Sequence, residues 1–356
     1  LSLPGERKLA PSDQVRIASV RAQIHEVTDR FKDRHPWIVK HQNTLGLTIF
    51  CVAILGVLVD AALFIAGVMP WWLCIPVSAF WLSLLHELEH DLIHSLYFRR
   101  NRKAQNLMLL GVWIMRPSTI NPWTRRRMHL HHHRVSGTES DLEERGITNG
   151  EEWNWRRALM TGDGALAIYL RPYEMRKMVR EFVRAQAKND PEERARLARE
   201  QRLSYFPLGM IHYALWHAFL IYHAVNIITG WTLTGVAAEV MDVIDVLAVT
   251  YMAPNALRTF CLHLVSSNMH YFGDVEPGNV LQQTQVWTSP WLWPLHAFCF
   301  NFGSTHAIHH FVVGDTFYVR QAIARDAHSV LRENGVRFND FDTFRRANRR
   351  GEYEPA

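Results

Sequence analysis

Three clusters of histidine carry spacings that suit metal coordination. In LHELEHDLIH, His86, His90 and His94 follow one another at four-residue intervals. At about 100° per residue they diverge by only about 40° and then about 80°, so a helix projects all three from one face. The run RMHLHHHR supplies His129, His132 and His133, an arc of about 100° on a helix, while His131 points the other way. STHAIHH repeats that spacing with His306, His309 and His310, and His270 stands alone in SSNMHYFGD. One H-x-x-H-H arises readily by chance among 20 histidines, but two copies plus an H-x-x-x-H imply a metal site.

The donor set narrows the metal. Three imidazoles and an open position suffice for catalytic zinc, whereas His86, His90, His129, His132, His133, His270, His306, His309 and His310 together suit two ions with several neutral ligands each. Iron changes valence and activates dioxygen; zinc does neither. A nitrogen-rich pair also differs from the Glu-rich soluble di-iron bundles. His94 is a candidate extra ligand, and Glu87 and Glu89 are candidate acceptors for imidazole N–H groups, or are solvated at a membrane edge.

Two other classes compete. HELEH satisfies H-E-x-x-H, so Glu87 could serve as general base of an intramembrane zinc protease with Asp242 or Asp245 as third ligand. That reading leaves both H-x-x-H-H runs without a role. A metal carrier would hold its ligands near the bilayer midplane, whereas these clusters lie at or beyond the ends of apolar segments. His212, His217 and His223, inside such segments, form no ligand pattern and are expected to be packed and hydrogen-bonded.

Those apolar segments must position the histidines. Residues 44–69 carry Asp60 as their sole charge and exceed the roughly 20 residues that cross a bilayer. Residues 71–94 read as one helix leaving the membrane, with 206–229 and 235–265 as two further spans. Shorter apolar runs at 107–115 and 287–302 are expected at the interface or inside the protein. The join between the first two spans has no Lys or Arg, whereas Arg99, Arg100, Arg102, Lys103, Arg125, Arg126, Arg127 and the charged run 171–202 follow the second. The positive-inside rule then places the central segment and both termini in the cytoplasm, and no signal-peptide pattern is seen.

With 48% hydrophobic residues the 356-residue chain is not disordered, and a formal net charge of +5 gives no argument for nucleic acid. The four cysteines lie in apolar runs without C-x-x-C spacing, so neither a disulfide framework nor a cysteine-held cluster is expected. No heme segment or Gly-rich dinucleotide fingerprint occurs, so electrons must come from another protein. The run 171–202, broken near Asp190-Pro191, is either a solvated helical pair or a docking face for an acidic carrier.

The histidine plan resembles the membrane fatty acid desaturase and hydroxylase superfamily: His86 and His90 match its first box, His129, His132 and His133 the second, His270 the lone histidine, and His306, His309 and His310 the third. The phrases HELEHDLIH, INPWTRRRMHLHHHRVSGTESDLEERGITNG, SSNMHYFGDVEPGNVLQQTQ and FNFGSTHAIHHF are similar to the desaturase-like bacterial decarboxylases that convert free medium-chain fatty acids to terminal 1-alkenes. The resemblance implies an all-α integral membrane protein: four transmembrane helices in two hairpins with a cytoplasmic helical cap carrying the histidine boxes. It further implies two Fe ions, O2 as co-substrate, a fatty acid substrate, and an external donor of the ferredoxin type with its reductase. The expected organisation is one domain over 1–356: cytoplasmic 1–43, hairpin 44–95, cytoplasmic 96–205, hairpin 206–265 and cytoplasmic 266–356, in a bacterial inner membrane. Decarboxylation would bring the carboxylate close to the metals and require a cationic partner there, for which Arg116, Arg125, Arg126 and Arg127 are candidates; desaturation or hydroxylation would instead need a deep tunnel past the metals. The aromatic run VWTSPWLWPLHAFCF either lines that tunnel or packs in the core or at the interface.

Overall fold

The computed structural model describes residues 11–351; the outer ends of the expected 1–43 and 266–356 segments lie outside the described residues. Among the described residues the regular structure is helical, and the only β-type pairings are isolated bridges, His270 with Thr284 and Val286 with Phe338.

Helix α1 (Pro11–Arg34) and the single turn α2 (Pro36–Lys40) lead into α3 (Gln42–Ile65), which turns back into α4 (Trp71–Ile93). The last two are long and apolar enough to cross a membrane, with mean hydropathies of 2.6 and 1.2. Their facing side chains, among them Ala53, Val57, Leu82 and Leu85, form one buried cluster, while Leu55, Leu58 and Ile65 remain exposed on the far side of α3. Asp60, the charge inside the first apolar run, is buried between the two helices and accepts a hydrogen bond from Ser78 Oγ at 3.1 Å. That pairing meets the requirement that a charge among apolar helices find an internal partner. From Leu85 to Ile93 every residue of α4 is buried, so the helix drives its histidine end into the protein rather than into solvent.

Helices α5 (Arg102–Met115) and α6 (Pro122–Val135) follow, each started by an asparagine cap: Asn101 accepts from the Ala104 N–H at 3.1 Å and Asn121 from the Thr124 N–H at 2.9 Å. Short helices α7 (Leu142–Ile147), α8 (Trp155–Gly162) and α9 (Gly164–Tyr169) lead to the paired α10 (Pro172–Ala187) and α11 (Pro191–Arg202). The break expected at Asp190-Pro191 is a capped restart, with Asp190 accepting from the Glu192 and Glu193 N–H groups. Met178, Phe182, Val183 and Leu197 bury the inner face of this pair, which is therefore more than a solvated surface.

Helices also occupy the two further apolar segments, but with less membrane character. Three histidines interrupt α12 (Leu208–Thr229). The second segment is divided into α13 (Val236–Leu247), a five-residue π-turn (Ala248–Met252) and α14 (Ala253–Met269). Pro254 cannot donate a backbone N–H, and the wider π-turn carries the chain past that gap. His217 and His223 are hydrogen-bonded, to Asp163 and Asp245.

The remaining helices, α15 (Val280–Gln283), α16 (Trp293–Ala297), α17 (Phe302–Phe311) and α18 (Phe317–Glu333), close the fold, with α1 laid across α17 and α18 through Ile17, Val20, Ile24 and Val27. Of the aromatic run, Trp287 is core whereas Trp291 and Trp293 are exposed.

The contact between α3 and the segment that follows α4 has no slack where Gly46 faces Tyr97: a Cβ there would stand 2.5 Å from Tyr97 Cδ1. Tyr97 is fully buried and tied by its hydroxyl to Asp91 at 3.0 Å, so the ring cannot retreat. Gly46→Ala is expected to destabilise the hairpin by about 1–3 kcal/mol, read as a lowered thermal-unfolding midpoint of detergent-purified protein.

Candidate metal centre

The end of α4, α6, the end of α14 and α17 converge on one buried volume. Four-residue spacing stacks His86 above His90, and His94 follows as the C-cap residue of α4. His129, His132 and His133 come from the last two turns of α6, His306, His309 and His310 from α17, and His270 from the extended residue that ends α14.

Two groups result. Ring nitrogens of His90, His94, His129 and His309 lie within 4.8 Å of one another, and so do those of His132, His270, His306 and His310. In the first group His94 Nε2 is 2.9 Å from His129 Nε2 and 3.0 Å from His309 Nε2; in the second His310 Nε2 is 3.1 Å from His306 Nε2 and 3.4 Å from those of His132 and His270. Nitrogens bound to one ion at roughly 2.1 Å are separated by about 3.0–3.4 Å, so these spacings match the edges of coordination spheres. His133 and His86 fall outside both groups. His133 Nε2 is 3.1 Å from His129 Nε2 and 3.0 Å from His309 Nε2, beside the first group. His86 Nε2 and both ring nitrogens of His90 are buried without a hydrogen-bond partner, which costs free energy unless a ligand meets them. The residues present thus fit a pair of metal ions.

A layer of polar side chains fixes the rings from behind. His129 Nδ1 meets Glu143 Oε2 at 2.8 Å, His132 Nδ1 meets Asp141 Oδ2 at 2.9 Å, and His270 Nδ1 lies 3.3 Å from Glu144 Oε2. All three carboxylates sit at the start of α7, where Asp141 is also the N-cap. Gln283 Oε1 is 3.3 Å from His310 Nδ1, and Arg320 Nη1 is 3.1 Å from His309 Nδ1. None of these five was singled out from the sequence; the D-L-E-E run just after the second histidine cluster is the signal that could have found three of them.

Glu87 and Glu89 are buried rather than solvated, yet neither contacts an imidazole directly. Glu87 is paired with Arg320 at 3.3 Å, and Glu89 with Arg125 at 2.9 Å and with Arg116, whose Nη2 lies 3.1 Å from His86 Nδ1. The protease arrangement fails on geometry: Glu87 is held by Arg320, Asp245 is bonded to His223, and neither Asp242 nor Asp245 joins a histidine group.

Burial with neighbouring imidazoles pushes His129, His133, His306, His309 and His310 well below the ordinary histidine value, and burial pushes His94 down to about 2, so these rings are neutral and able to ligate at pH 7. His132 is opposite: burial lowers it, but Asp141 together with Glu143 and Glu144 outweighs burial and holds it up at about 9. Ligation by His132 therefore displaces a proton at neutral pH.

A cavity of about 190 Å3 opens onto His86, His90, His129, His132 and His306. Its lining is otherwise largely apolar, with Met128, Leu142, Met160, Ile168, Met175 and Val179 among it, and Arg116 and Arg125 also line it, Arg116 beside His86. Arg126 and Arg127 do not line it; they are turned to Ser95 and to Glu193 and Glu200. Nor does any residue of the aromatic run 286–300.

Asp141→Asn removes the anion that orients His132. Its expected effect is a loss of metal affinity of about 10–100-fold, measured as metal retained per chain against a graded chelator. For the parent protein, affinity should fall as pH is lowered from 9, as His132 holds its proton more firmly.

A family model, Fatty acid desaturase, matches residues 66–342, a stretch that contains every histidine of both groups. No curated protein matches the chain. Covered over most of its length, and with two apolar helices that associate it with a membrane, the chain belongs to the fatty acid desaturase family, oxidoreductases of lipid metabolism that typically use two irons.

Proposed function

We propose that the protein is an O2-dependent di-iron membrane oxidase that decarboxylates a medium-chain free fatty acid to a terminal 1-alkene. One observation carries this reading: the apolar cavity reaches the histidines at the same end at which the guanidinium groups of Arg116 and Arg125 line its wall. A carboxylate attracted there lies near the metals, which brings the adjacent carbons, not the middle of the chain, to the reacting position. Desaturation or hydroxylation of a fatty acyl chain is the second reading, favoured by the family itself.

On this proposal His90, His94, His129 and His309 hold one ion and His132, His270, His306 and His310 the other, with His86 and His133 as further donors. When bound, two irons supply the valence change and dioxygen activation that attack on an unactivated C–H bond requires. The chain's own residues do the rest. Asp141, Glu143 and Glu144 keep the imidazoles of α6 and α14 in their ligating orientation. The apolar lining excludes water from the substrate chain, and the guanidinium-rich end of the cavity, where Arg116 stands beside His86, is the end to which its carboxylate is drawn. The acid loses CO2, one C3 hydrogen and its acidic proton to give the alkene; with two further electrons and two protons, one O2 leaves as two waters.

Four spans in two hairpins complete the proposed topology, α12 and the α13–α14 rod forming the second. The outward apolar side chains of Ile221, Ile227, Ile228, Val236 and Val243 support it. The histidine end and both termini then face the cytoplasm, in an inner membrane if the source is bacterial. A ferredoxin-type carrier with its reductase is the proposed electron donor, docking on the basic cytoplasmic surface.

Purified protein given the C12 free acid, a reductant and O2 should release the C11 1-alkene, detected in the headspace, and contain about two irons per chain. Unsaturated or hydroxylated C12 acid without alkene would select the second reading. With reduced carrier as donor, turnover should fall as salt rises; a flat salt profile would exclude electrostatic docking.

A further inference from the structure

Arg258 is fully buried in α14, one turn before Leu262 and His263, which line the cavity. Its Nη2 donates to Thr259 Oγ1 at 2.8 Å, and that hydroxyl is 3.1 Å from Ser118 Oγ. Ser118 lines the cavity, and its backbone is held by a hydrogen bond from the Tyr213 hydroxyl to its carbonyl at 2.7 Å. The Nε and Nη1 of Arg258 are buried without any hydrogen-bond partner, and among the described residues no carboxylate forms an ion pair with it.

The nearby carboxylates are already engaged. Glu89 carries both Arg116 and Arg125, and Glu143 is shared between Arg125 and His129. Three buried guanidiniums therefore face two carboxylates, and Arg258 is the one left over. Arginine does not shed its proton to relieve such a site, and an uncompensated buried cation is strongly unfavourable. A ligand with a single negative charge would remove the imbalance.

We infer that Arg258, Thr259 and Ser118 form the carboxylate subsite for a free fatty acid. The inference rests on the fatty acid reading above and adds to it the residues that select the free acid over an ester. Ser118 Oγ donates to the carboxylate from the cavity wall, Thr259 links it to the guanidinium, and Arg258 acts from behind as a positioning residue that supplies the compensating charge. Arg116 and Arg125, already paired with Glu89 and Glu143, close the wall, and Arg116 orients His86. An ester or thioester brings no charge to this end and leaves Arg258 uncompensated, so the subsite discriminates against both.

The test is binding, not turnover: full-length protein in detergent, without reductant, titrated at pH 8 with dodecanoate or methyl dodecanoate against a displaceable fluorescent fatty-chain probe. The parent protein is expected to prefer the acid. Arg258→Gln should weaken the acid by at least about tenfold and the ester by less than about twofold, while Arg258→Lys keeps most of the preference. Equal loss for both ligands, or unchanged acid affinity, overturns the subsite. Should Arg258→Gln fail to fold, Ser118→Ala decides: a lowered acid-to-ester ratio supports the assignment and an unchanged ratio rejects it. Because no product is read, a protein that makes no alkene can still show this selectivity. An alkene-forming protein that lacks it would reject the subsite alone.

Discussion

Imidazoles packed nitrogen to nitrogen at about 3 Å, most of them buried, impose the constraint on which the rest of the structure depends. Lone pairs this close repel unless a proton or a metal ion lies between them, and burial makes a shared proton expensive because it brings a charge with it. His90 shows the pressure most plainly, with both ring nitrogens buried and unpartnered. Four separate helix ends must hold this arrangement against its own repulsion. That demand explains why α4 is buried through its last nine residues, and why each cluster is backed by ionic side chains rather than by more hydrocarbon.

The histidines were legible because helical periodicity alone brings residues spaced by three or four onto one face. His94 was harder: it follows the last residue of α4, and its partnership with His90, His129 and His309 depends on where that helix stops, which spacing does not dictate. Asp141, Glu143 and Glu144 were legible only as an acidic run beside the second histidine cluster; which imidazole each meets was not, because those partners lie on α6 and α14 and only the return of the chain through α7 brings them together. Glu87 and Glu89 show the reverse error. Adjacency to ligands suggested contact with imidazole, but on a helix these residues point to other faces, where Arg320, Arg116 and Arg125 meet them.

The first hairpin was legible for the same local reason: a long apolar run needs no knowledge of its neighbours. The second was less so. Histidines in α12 and acidic residues in α13 lower the apolarity of the segments, and their pairing, as in His223 with Asp245, is a tertiary event. Pro254 reads as a helix break in isolation, yet the π-turn before it keeps the rod continuous. Arg258, four residues beyond Pro254 on that rod, could not be distinguished from any other helical arginine, since what sets it apart is a missing partner.

The two histidine groups are not equivalent, and the difference follows from what stands behind the rings. In the group of His132, His270, His306 and His310, the Asp141 carboxylate accepts from His132 Nδ1, the Ser266 carbonyl accepts from His270 Nδ1 with the Glu144 carboxylate 3.3 Å away, and an amide oxygen faces His310 Nδ1. Such acceptors raise ligand basicity and favour the higher charge state of a bound metal. In the group of His90, His94, His129 and His309, Glu143 backs one ring, but Arg320 faces His309, and Arg116 and Arg125 stand nearby. Each of these guanidiniums is itself paired, Arg320 with Glu87 and Asp91, and Arg116 and Arg125 with Glu89 and Glu143, so much of its charge is offset before it reaches the rings. The carboxylates of α7 therefore leave the group of His132, His270, His306 and His310 with the stronger anionic backing, and that half would hold a bound metal in the higher charge state more readily.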